Sequence, residues 1–590
     1  MVCRPGHRQV ASREKDMDWK DKKKHEALLN SERGFVKKVW GTGYAVCLAY
    51  PNVYRVGMAN LGFQTVYKIF NELTPFLCER VFLPVPGDGA ESGAGAGKVL
   101  SIESQRPISD FDIVAFSVSF ENDYPSILKL LDAGRIPLQA KDRDEKSPLI
   151  IGGGIALTLN PEPLADFFDV FLPGEAETIL PVFAGAYRQA RQKQLGRRDL
   201  LYKLQMQVPG LYVPSLYKVN YFADGRIEKI TALADGIEKK IKISPIKNID
   251  AFSTTETVSG SDSEMSQMYL LEVNRGCPHL CRFCAAAHVY APPRFRSRKR
   301  LFETIDAGLE LKKKVGLVGT AVSEHPHLLD ICRYIADRGA QAGIGSLRLD
   351  RIDEKIVDLL KAGGIETLAL APEAGSQRLR DLIRKGITEQ DVIDAVNILI
   401  EKDILNLRLY FMVGLPTETA EDIDAIIELV KKIQHTALNR SGGRKKFRRI
   451  TLSINQFIPK PRTPLQWCPL TDVHEADRRI KKITQAFRKD RQIRVLAGVP
   501  KWNYVQALLS LGDRRTGDIL TAVHRLGGNW RRALREVNIN PDFYVYRPKA
   551  PGEILPWDIL EVGIGKQALI REYRKATGVA VGEKIRRLED

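Results

Sequence analysis

Residues Leu270–Cys284 read LLEVNRGCPHLCRFC, an apolar and strand-like run that ends in three cysteines within eight residues. Three residues and then two residues separate the cysteines, so a tight loop can direct all three thiols at one centre. A cuboidal iron–sulfur cluster takes thiolate ligands of this kind. Three thiolates leave one iron of a four-iron cluster without a protein ligand. The spacing therefore predicts an incomplete cluster site at Cys277, Cys281 and Cys284.

Two plainer interpretations of the three cysteines are less satisfactory. A structural zinc site takes four Cys or His ligands, commonly in two separated pairs. His279 and His288 lie nearby, but the sequence has no second cysteine pair. Cysteines that are merely buried would need neither this spacing nor Gly276 and Pro278 to bend the loop. Both alternatives are therefore disfavoured.

The cysteine motif resembles that of a known enzyme family. A CxxxCxxC spacing with the aromatic Phe283 before the last cysteine, preceded by Glu272-x-x-Arg275-Gly276, resembles the radical S-adenosylmethionine (SAM) enzymes. The resemblance implies a 4Fe-4S cluster whose open iron is chelated by the amino and carboxylate groups of SAM. It also implies reductive cleavage of SAM to a 5′-deoxyadenosyl radical, with electrons from a flavodoxin- or ferredoxin-type donor.

The length and composition are those of a folded protein of several domains. At 590 residues the chain is too long for a single core, and about 150 residues per domain predicts three or four units. The sequence contains no run of about 18 uncharged apolar residues, so no membrane span is predicted. The charged first residues lack the apolar core of a secretory signal. The five cysteines outside the motif are isolated, as in reduced cytosolic proteins. We expect a cytoplasmic protein with no membrane association.

The net charge of +18 is compatible with an anionic partner and equally with solubility alone. The densest basic cluster, at 440–449, is punctuated by serine and glycine and is predicted to be a loop. Basic loops of this kind occur on proteins that bind nucleic acid and on proteins that bind none. RNA is therefore kept open as a partner, and the sequence leaves the substrate unassigned.

The N-terminal half alternates buried strands with helices. Apolar runs at 44–50, 112–118 and 148–154 predict strands with helices between them. This alternation predicts a doubly wound parallel sheet. The glycines that end the third run lie at a strand's carboxyl end, where such sheets admit ligands. We assign this Rossmann-like domain to residues 34–192.

The same domain resembles the cobalamin-binding-type domain that often precedes a radical SAM barrel. The similarity rests on Ile150–Gly154, Asn160–Pro163 and Asp169–Glu177. One departure from the pattern bears on the cofactor: no histidine occurs between His25 and His279, so the lower axial ligand of a DxHxxG motif is absent. Cobalamin would have to bind without a protein ligand. The sequence leaves cobalamin open and favours a domain that shapes the substrate site without it.

The remaining segments follow in order. Residues 1–33 are predicted to be a charged tail, and 193–265 a linker that contains a β-hairpin at 212–230. Residues 266–470 show six strand–helix steps. Six parallel strands with right-handed crossovers fit the open, partial (β/α)6 barrel of the radical SAM family better than a full eightfold barrel. Residues 471–590 are predicted to form a small, mostly helical C-terminal domain.

Candidate SAM ligands stand at the carboxyl ends of the predicted barrel strands, where β/α barrels place their active sites. Resemblance to the family implies that Gly319 and Thr320 form a glycine-rich turn facing the SAM amino group, and that Ser346, Arg348 and Glu373 make polar contacts with SAM. It implies that Arg384 holds the SAM carboxylate in a bidentate fork. The adenine-side contacts that it implies come from Phe283, Val413, Gly414 and Leu415. An ordinary turn and a helix-end cation are the alternatives for Gly319, Thr320 and Arg384. No catalytic residue is assigned.

Three other functions compete with the general prediction. An RNA methylthiotransferase would need three more N-terminal cysteines to hold a second cluster. Cys3, Cys47 and Cys78 are three such cysteines, but Cys47 lies in the middle of a predicted strand and Cys3 lies in the charged tail. We therefore expect no second cluster. A cobalamin-dependent methyltransferase would need cobalamin. A basic nucleic-acid-binding protein with a structural cluster is the alternative of another class, and SAM ligands spread over several strand ends argue against it.

The C-terminal range supplies aromatic residues with no assigned role. Trp502, Trp530, Trp557 and Tyr504 could stack on nucleobases, but core packing is the commoner use of such side chains. Taken together, the two halves resemble an uncharacterised group of radical SAM proteins that carry a cobalamin-binding-type domain. The resemblance extends from about residue 34 to the end.

Overall fold

The computed structural model describes residues 19–85, 99–260, 262–345, 347–440 and 447–578. These residues form short strands joined mainly by helices. The strands are β1 Tyr44–Val53, β2 Phe76–Leu83, β3 Ile113–Ser117, β4 Leu149–Gly153, β5 Val170–Leu172, β6 Tyr217–Tyr221, β7 Ile227–Ala232, β8 Ile241–Lys242, β9 Tyr269–Arg275, β10 Arg294–Phe295, β11 Lys314–Gly319, β12 Gln341–Ile344, β13 Thr367–Glu373, β14 Asn406–Val413, β15 Arg449–Gln456, β16 Ile493–Ala497 and β17 Leu560–Glu561.

The helices of the described residues connect and cover these strands. They are α1 Trp19–Ser31, α2 Tyr54–Gly57, α3 Leu61–Glu72, α4 Tyr124–Ala133, α5 Ile155–Leu159, α6 Ala176–Gln192, α7 Arg197–Gln207, α8 Ala285–Val289, α9 Arg298–Leu309, α10 Leu328–Asp337, α11 Glu354–Ala362, α12 Gln377–Leu382, α13 Glu389–Glu401, α14 Ala420–Arg440, α15 Val473–Ala486, α16 Pro500–Leu511, α17 Thr516–Arg525, α18 Trp530–Glu536, α19 Asp542–Val545 and α20 Lys566–Thr577.

Side-chain caps fix where many of these helices begin. A side-chain oxygen just before the first turn accepts a backbone N–H that has no partner inside the helix. At α13, Thr388 and Asp391 cap each other reciprocally in a capping box. Further caps of the simple kind are Asn60, Ser297, Asp353, Ser376, Asp472 and Asn529. Across the described ranges, no helix is both long and apolar enough to span a bilayer.

The first five strands form one parallel sheet in the order β2-β1-β3-β4-β5. Its strands are buried almost throughout because helices cover both faces. Side chains of α3 and α6 pack on one face, and those of α4 on the other. The predicted doubly wound sheet is confirmed.

The barrel region contains two sheets whose main strands are parallel. β9, β11 and β12 form one sheet with the short antiparallel β10, and β13, β14, β15 and β16 form the other. The six predicted strands are present. A seventh parallel strand, β16, was not predicted, and it lies in the range that we assigned to the helical domain. The apolar run at 343–348 predicts the third of these strands, but the strand lies at Gln341–Ile344, where Gln341 pairs with Lys314 of β11.

The second barrel sheet has two unlike faces. Residues alternate along β14 and β15 between buried and half-buried positions. The buried set packs against α13 and α14 on the outside of the sheet. The half-buried set includes Tyr410, Met412 and Ser453, and it faces inward. The inner face of the barrel therefore leaves room for small molecules.

The predicted linker and C-terminal range are more closely built into the fold than we expected. The hairpin is confirmed as antiparallel β6 and β7, beginning at Tyr217 because Pro214–Leu216 forms a 3-10 turn. Helices α16 and α17 share a hydrophobic core with β3 and α4 of the first sheet. Trp530 and Trp557 are buried as predicted, but Trp502 is 46% exposed.

A fully buried ion pair ties the end of α1 to the first sheet. Arg80 on β2 donates to both Glu32 oxygens at 2.6 and 2.8 Å, and to Glu103 at 2.6 Å. Neither Arg80 nor Glu32 has an exposed side chain. Glu32 belongs to the range that we predicted to be a charged tail. Its burial shows that the structured part of the chain begins before residue 34.

Lys549 is a buried lysine that makes stability depend on pH. Its ammonium donates to the Tyr544 carbonyl at 2.9 Å, and burial lowers its pKa from 10.5 to about 7. Between pH 7 and 10.5 the unfolded chain binds a proton that the folded chain has released. This group therefore makes the folded state more stable as pH rises through that window, by up to about 1.4 kcal/mol per unit, and less stable as pH falls.

We expect Lys549→Met to stabilise the protein at pH 7, with an advantage over the wild type that shrinks as pH approaches 10. Urea unfolding midpoints measured at several pH values test this. The control is Lys501→Met, which changes an exposed lysine. Equal pH dependence in Lys549→Met and the wild type would contradict the prediction.

Candidate functional site

The three cysteines lie in the loop that follows β9, the first barrel strand. Gly276 opens the loop with φ of +84°, and a Cβ there would stand 2.5 Å from the Tyr290 carbonyl oxygen, so only glycine fits. The Cys284 N–H donates to the Cys281 carbonyl at 3.0 Å, which turns the chain into α8. Cys281 is buried, Cys277 and Cys284 are half-buried, and all three are free thiols. One short loop therefore holds every cysteine of the motif.

Burial, the other thiols and two nearby cations act on the pKa values of the three thiols. Burial raises the pKa of all three thiols, that of Cys284 to about 11, and the charges of Cys281 and Cys277 act on Cys284 in the same direction. The positive charges of Lys385 and Arg348 oppose this effect at Cys277 and Cys281, but burial is the larger cause and both pKa values stay raised. Among the described residues, no three His, Cys, Asp or Glu side chains are close enough to hold a single metal ion. Metal or cluster binding would have to displace the thiol protons.

The end of β11 lies against the start of the cysteine loop. The Thr320 hydroxyl accepts from the Gly276 N–H at 3.3 Å. A Cβ on Gly319 would lie 2.1 Å from the Asn274 amide oxygen. Asn274 itself donates to the Gly276 carbonyl at 2.8 Å. The predicted Gly319 and Thr320 are therefore next to the loop, and Asn274, which we did not single out, joins the two.

Polar residues from the next two strand ends gather around the thiols. Glu373 has φ of +66° and forms an ion pair with Lys385 at 3.0 Å. Arg348 donates to the Lys385 carbonyl at 2.6 Å and pairs with Asp350 at 2.7 Å. Lys385 was missed by the sequence analysis, although it stands beside Arg384. Ser346 lies outside the described residues.

Arg384 is held differently from the other predicted ligands. Its side chain is 47% exposed and lies 3.6 Å from Glu572 on α20. The same carboxylate accepts from Arg282, between the second and third cysteines, at 3.1 Å. The last helix therefore reaches both the cysteine loop and the arginine that we predicted to hold the SAM carboxylate.

Two of the adenine-side candidates, Phe283 and Leu415, share one apolar patch. Phe283 packs against a cluster that contains Leu415 and Ile383. Gly414 has φ of +81°, and its N–H donates to Glu418 at 2.7 Å. Val413, which precedes it, is fully buried. The turn after β14 and the cysteine loop therefore meet on the same side of the barrel.

His279 and Glu324 are a second pair that the sequence analysis did not join. The His279 Nε2 atom lies 3.0 Å from Glu324 Oε1, and the Glu324 side chain is almost buried. His279 stands between the first and second cysteines, and Glu324 follows β11. No sequence motif links these residues, because the contact depends on how two strand ends meet.

Residues that resemble the cobalamin-binding pattern are engaged in contacts within the chain. Asn160 donates to the Ser510 and Gly512 carbonyls at 3.0 and 2.8 Å. Glu162 pairs with Arg514 at 2.9 Å. Glu175 and Glu177 also pair with arginines. The motif side chains therefore join parts of this chain.

The other cysteines and the basic loop are placed as follows. Cys47 and Cys78 are fully buried in the neighbouring strands β1 and β2. Cys3 lies outside the described residues. Residues 441–446 of the basic stretch are also outside them, and Arg440 pairs with Glu401 at 2.6 Å.

Two family profiles match the chain. One, for radical SAM proteins, N-terminal, matches residues 62–214, and the other, for the radical SAM superfamily, matches residues 271–430. Both cover parts of the chain described above: the first sheet with its helices, and the barrel with its cysteine loop.

Individual proteins and one solved structure are similar to parts of this chain. An uncharacterised protein of Methanocaldococcus jannaschii is 29% identical over 80% of this chain and 90% of its own length. Threonylcarbamoyladenosine tRNA methylthiotransferase MtaB of Aquifex aeolicus is 23% identical over 43% of this chain and 60% of its own. The solved structure of the cobalamin-dependent SAM radical enzyme OxsB matches with a TM-score of 0.42 and 16% identity, over 66% of this chain and 52% of that chain. This chain thus spans most of the first relative but under two thirds of the other two.

Proposed function

The chain belongs to the radical SAM superfamily of enzymes, and from this premise we propose that Cys277, Cys281 and Cys284 hold a 4Fe-4S cluster whose open iron binds SAM. One observation carries the proposal. Three thiols share a single loop at the carboxyl end of the first barrel strand, and residues that follow three further strands, β11, β13 and β14, contact that loop. The donor set suits a cluster, because thiolates are its usual ligands.

The proposed chemistry is that of the family. When bound, the cluster would supply the one electron for reductive cleavage of the SAM sulfonium to methionine and a 5′-deoxyadenosyl radical, which would act on a substrate not yet assigned. The chain's own residues bind and orient SAM. Glu373 and Lys385 offer a carboxylate and an ammonium beside the thiols, and Arg384 offers a fork for the SAM carboxylate. Phe283 and Leu415 give the adenine a dry apolar surface.

Cobalamin does not fit the first domain as well as SAM fits the barrel. Asn160, Glu162, Glu175 and Glu177, the polar residues of the motif, already satisfy partners within the chain. The chain also has no histidine in this domain to serve as a lower ligand. We therefore propose that the domain works without cobalamin and assign no step to it.

Action on RNA is the second candidate. It is supported by the net charge of +18 and by similarity to a tRNA methylthiotransferase. A second cluster would need three more cysteines, and Cys47 and Cys78 are fully buried in strands. We therefore propose RNA as a substrate class without methylthio transfer. Comparing the modified nucleosides of total tRNA from a deletion strain and its parent tests this candidate.

Anaerobic reconstitution with iron and sulfide tests the main proposal. The expected result is about four irons per chain, the usual content of one such cluster. With dithionite and SAM, the reconstituted protein should form 5′-deoxyadenosine. A protein that binds iron but never cleaves SAM would instead support a nucleic-acid-binding protein with a structural cluster.

Glu373→Gln is expected to raise the Michaelis constant for SAM about tenfold, which corresponds to about 1.4 kcal/mol, because one charged hydrogen-bonding group is lost. Iron content should stay at the wild-type level. The measurement is 5′-deoxyadenosine formation at varied SAM concentration. Glu366→Gln, at the exposed amino end of the same strand, is the matched control. An unchanged Michaelis constant in Glu373→Gln would remove this residue from the SAM site.

A further inference from the structure

The loop that carries the cysteines begins and ends at a pair of arginines. Arg275 is the last residue of β9, and Arg294 is the first residue of β10. The two stand opposite each other in the antiparallel β9–β10 ladder. Residues 276–293 lie between them and include all three cysteines. Whatever holds these two arginines therefore holds both ends of the loop.

Two carboxylates from the first domain hold the arginines. Glu175 and Glu177 follow β5, at the carboxyl edge of the first sheet. Glu175 accepts a bidentate pair of hydrogen bonds from Arg294 at 2.7 and 2.9 Å. Glu177 accepts from Arg275 at 2.7 Å, and Glu175 lies 3.4 Å from the same guanidinium. All four side chains are at most 10% exposed.

A third carboxylate completes the set. Glu272, three residues before Arg275, accepts from that guanidinium at 2.9 and 3.0 Å. It also accepts from Arg296 at 2.7 Å. The set therefore contains three carboxylates and three guanidinium groups, and it is neutral overall. Arg294 further donates to the Tyr290 carbonyl at 3.2 Å, on the segment that follows the cysteine-bearing turn.

The geometry suits positioning better than general stabilisation. Buried ion pairs add little net stability, because desolvation offsets most of the attraction between the charges. They do fix geometry, since a bidentate guanidinium–carboxylate pair holds two planes in one relative orientation. Here the fixed groups are the two ends of the loop. Two of the three carboxylates that fix them, Glu175 and Glu177, come from a different domain of the chain.

We propose that Glu175 and Glu177 are positioning residues of the first domain that hold the cysteine loop in the shape that binds the cluster. This inference rests on the proposed function. It gives the cobalamin-like domain a role that needs no cobalamin: its last strand end braces the cluster loop of the barrel. It also assigns the last two acidic residues of the Asp169–Glu177 motif to that role.

Glu177→Gln and Glu175→Gln test the proposal in the reconstituted full-length protein. Each change leaves one unbalanced positive charge beside the loop. We expect an iron chelator to remove the cluster at least threefold faster than from the wild type. We also expect a more positive midpoint potential for the cluster, because added positive charge favours the reduced form. The shift in potential reports the lost negative charge alone, so the positioning role is tested by the chelation rate, in comparison with the charge-preserving Arg275→Lys variant.

Two further variants separate positioning from loss of stability. Glu32→Gln breaks a buried ion pair of the same domain that is remote in sequence from the loop, and it should keep the wild-type chelation rate and potential. Arg275→Lys keeps the charge but loses the fork, so it should speed cluster loss without raising the potential. If Glu177→Gln does not fold, Glu175→Gln and Arg275→Lys carry the same test.

The outcomes distinguish this inference from the proposed function. A wild-type protein that builds no cluster overturns the proposed function. Suppose that the wild-type protein builds the cluster and cleaves SAM, and that the glutamine variants keep the wild-type chelation rate and potential. That result overturns only the positioning role. The positioning role is also overturned if Glu32→Gln loses the cluster as fast as Glu177→Gln does, because the effect would then reflect domain stability alone.

Discussion

Cys281→Ala is expected to abolish both the cluster and SAM cleavage. Two thiolates cannot replace three at a cuboidal cluster, so 5′-deoxyadenosine formation should fall below about 1% of the wild-type rate. The iron content after reconstitution and the visible absorbance of the cluster should fall together with the activity. Both quantities are measured on the same anaerobic sample.

Cys332→Ala is the matched control for this prediction. Cys332 lies on α10, is 1% exposed and packs in the barrel core away from the cysteine loop. Its loss should leave iron content and SAM cleavage close to the wild-type values. Activity that survives Cys281→Ala would show that the ligand assignment is wrong.

Arg80→Met is expected to destabilise the first domain by about 3–5 kcal/mol, because it leaves Glu32 and Glu103 buried without their cation. The measurement is urea unfolding followed by circular dichroism. Adding Glu103→Gln to Arg80→Met should recover part of the loss, since one uncompensated charge is then removed.

Arg55→Met is the control for Arg80→Met. Arg55 lies on α2 of the same domain and is exposed, so its replacement should change the unfolding free energy by less than about 0.5 kcal/mol. An Arg80→Met protein as stable as Arg55→Met would contradict the buried ion pair. It would also contradict the conclusion that this ion pair ties the end of α1 to the first sheet.

Much of the fold could be predicted because it is recorded locally in the chain. Apolar runs such as 148–154 mark buried parallel strands, and the cysteine spacing marks the loop. β16 was missed because Ile493–Ala497 is short and includes Arg494, so the apolar pattern is weak. Its identity as a strand depends on pairing with β15.

The candidate site was harder to predict than the fold. Lys385, Asn274 and Glu324 gain their positions from contacts between separate strand ends. A single sequence carries no signal for such contacts. Glu175 and Glu177 were noticed only as part of a resemblance, and their partners lie about a hundred residues away in the chain. Trp502 was expected to pack in the core because tryptophan side chains usually do. Its place at the start of α16 leaves it exposed instead.

The core that α16 and α17 share with the first sheet has a consequence for synthesis. Leu508 and Leu520 pack with Ile127 and Phe116, and Asn160 bonds the Ser510 carbonyl across 350 residues of sequence. During translation the first sheet is made long before α16 and α17, which cover part of one of its faces. Contacts of such long sequence separation form slowly. The core on this face of the first sheet can therefore be completed only after α16 and α17 have been made.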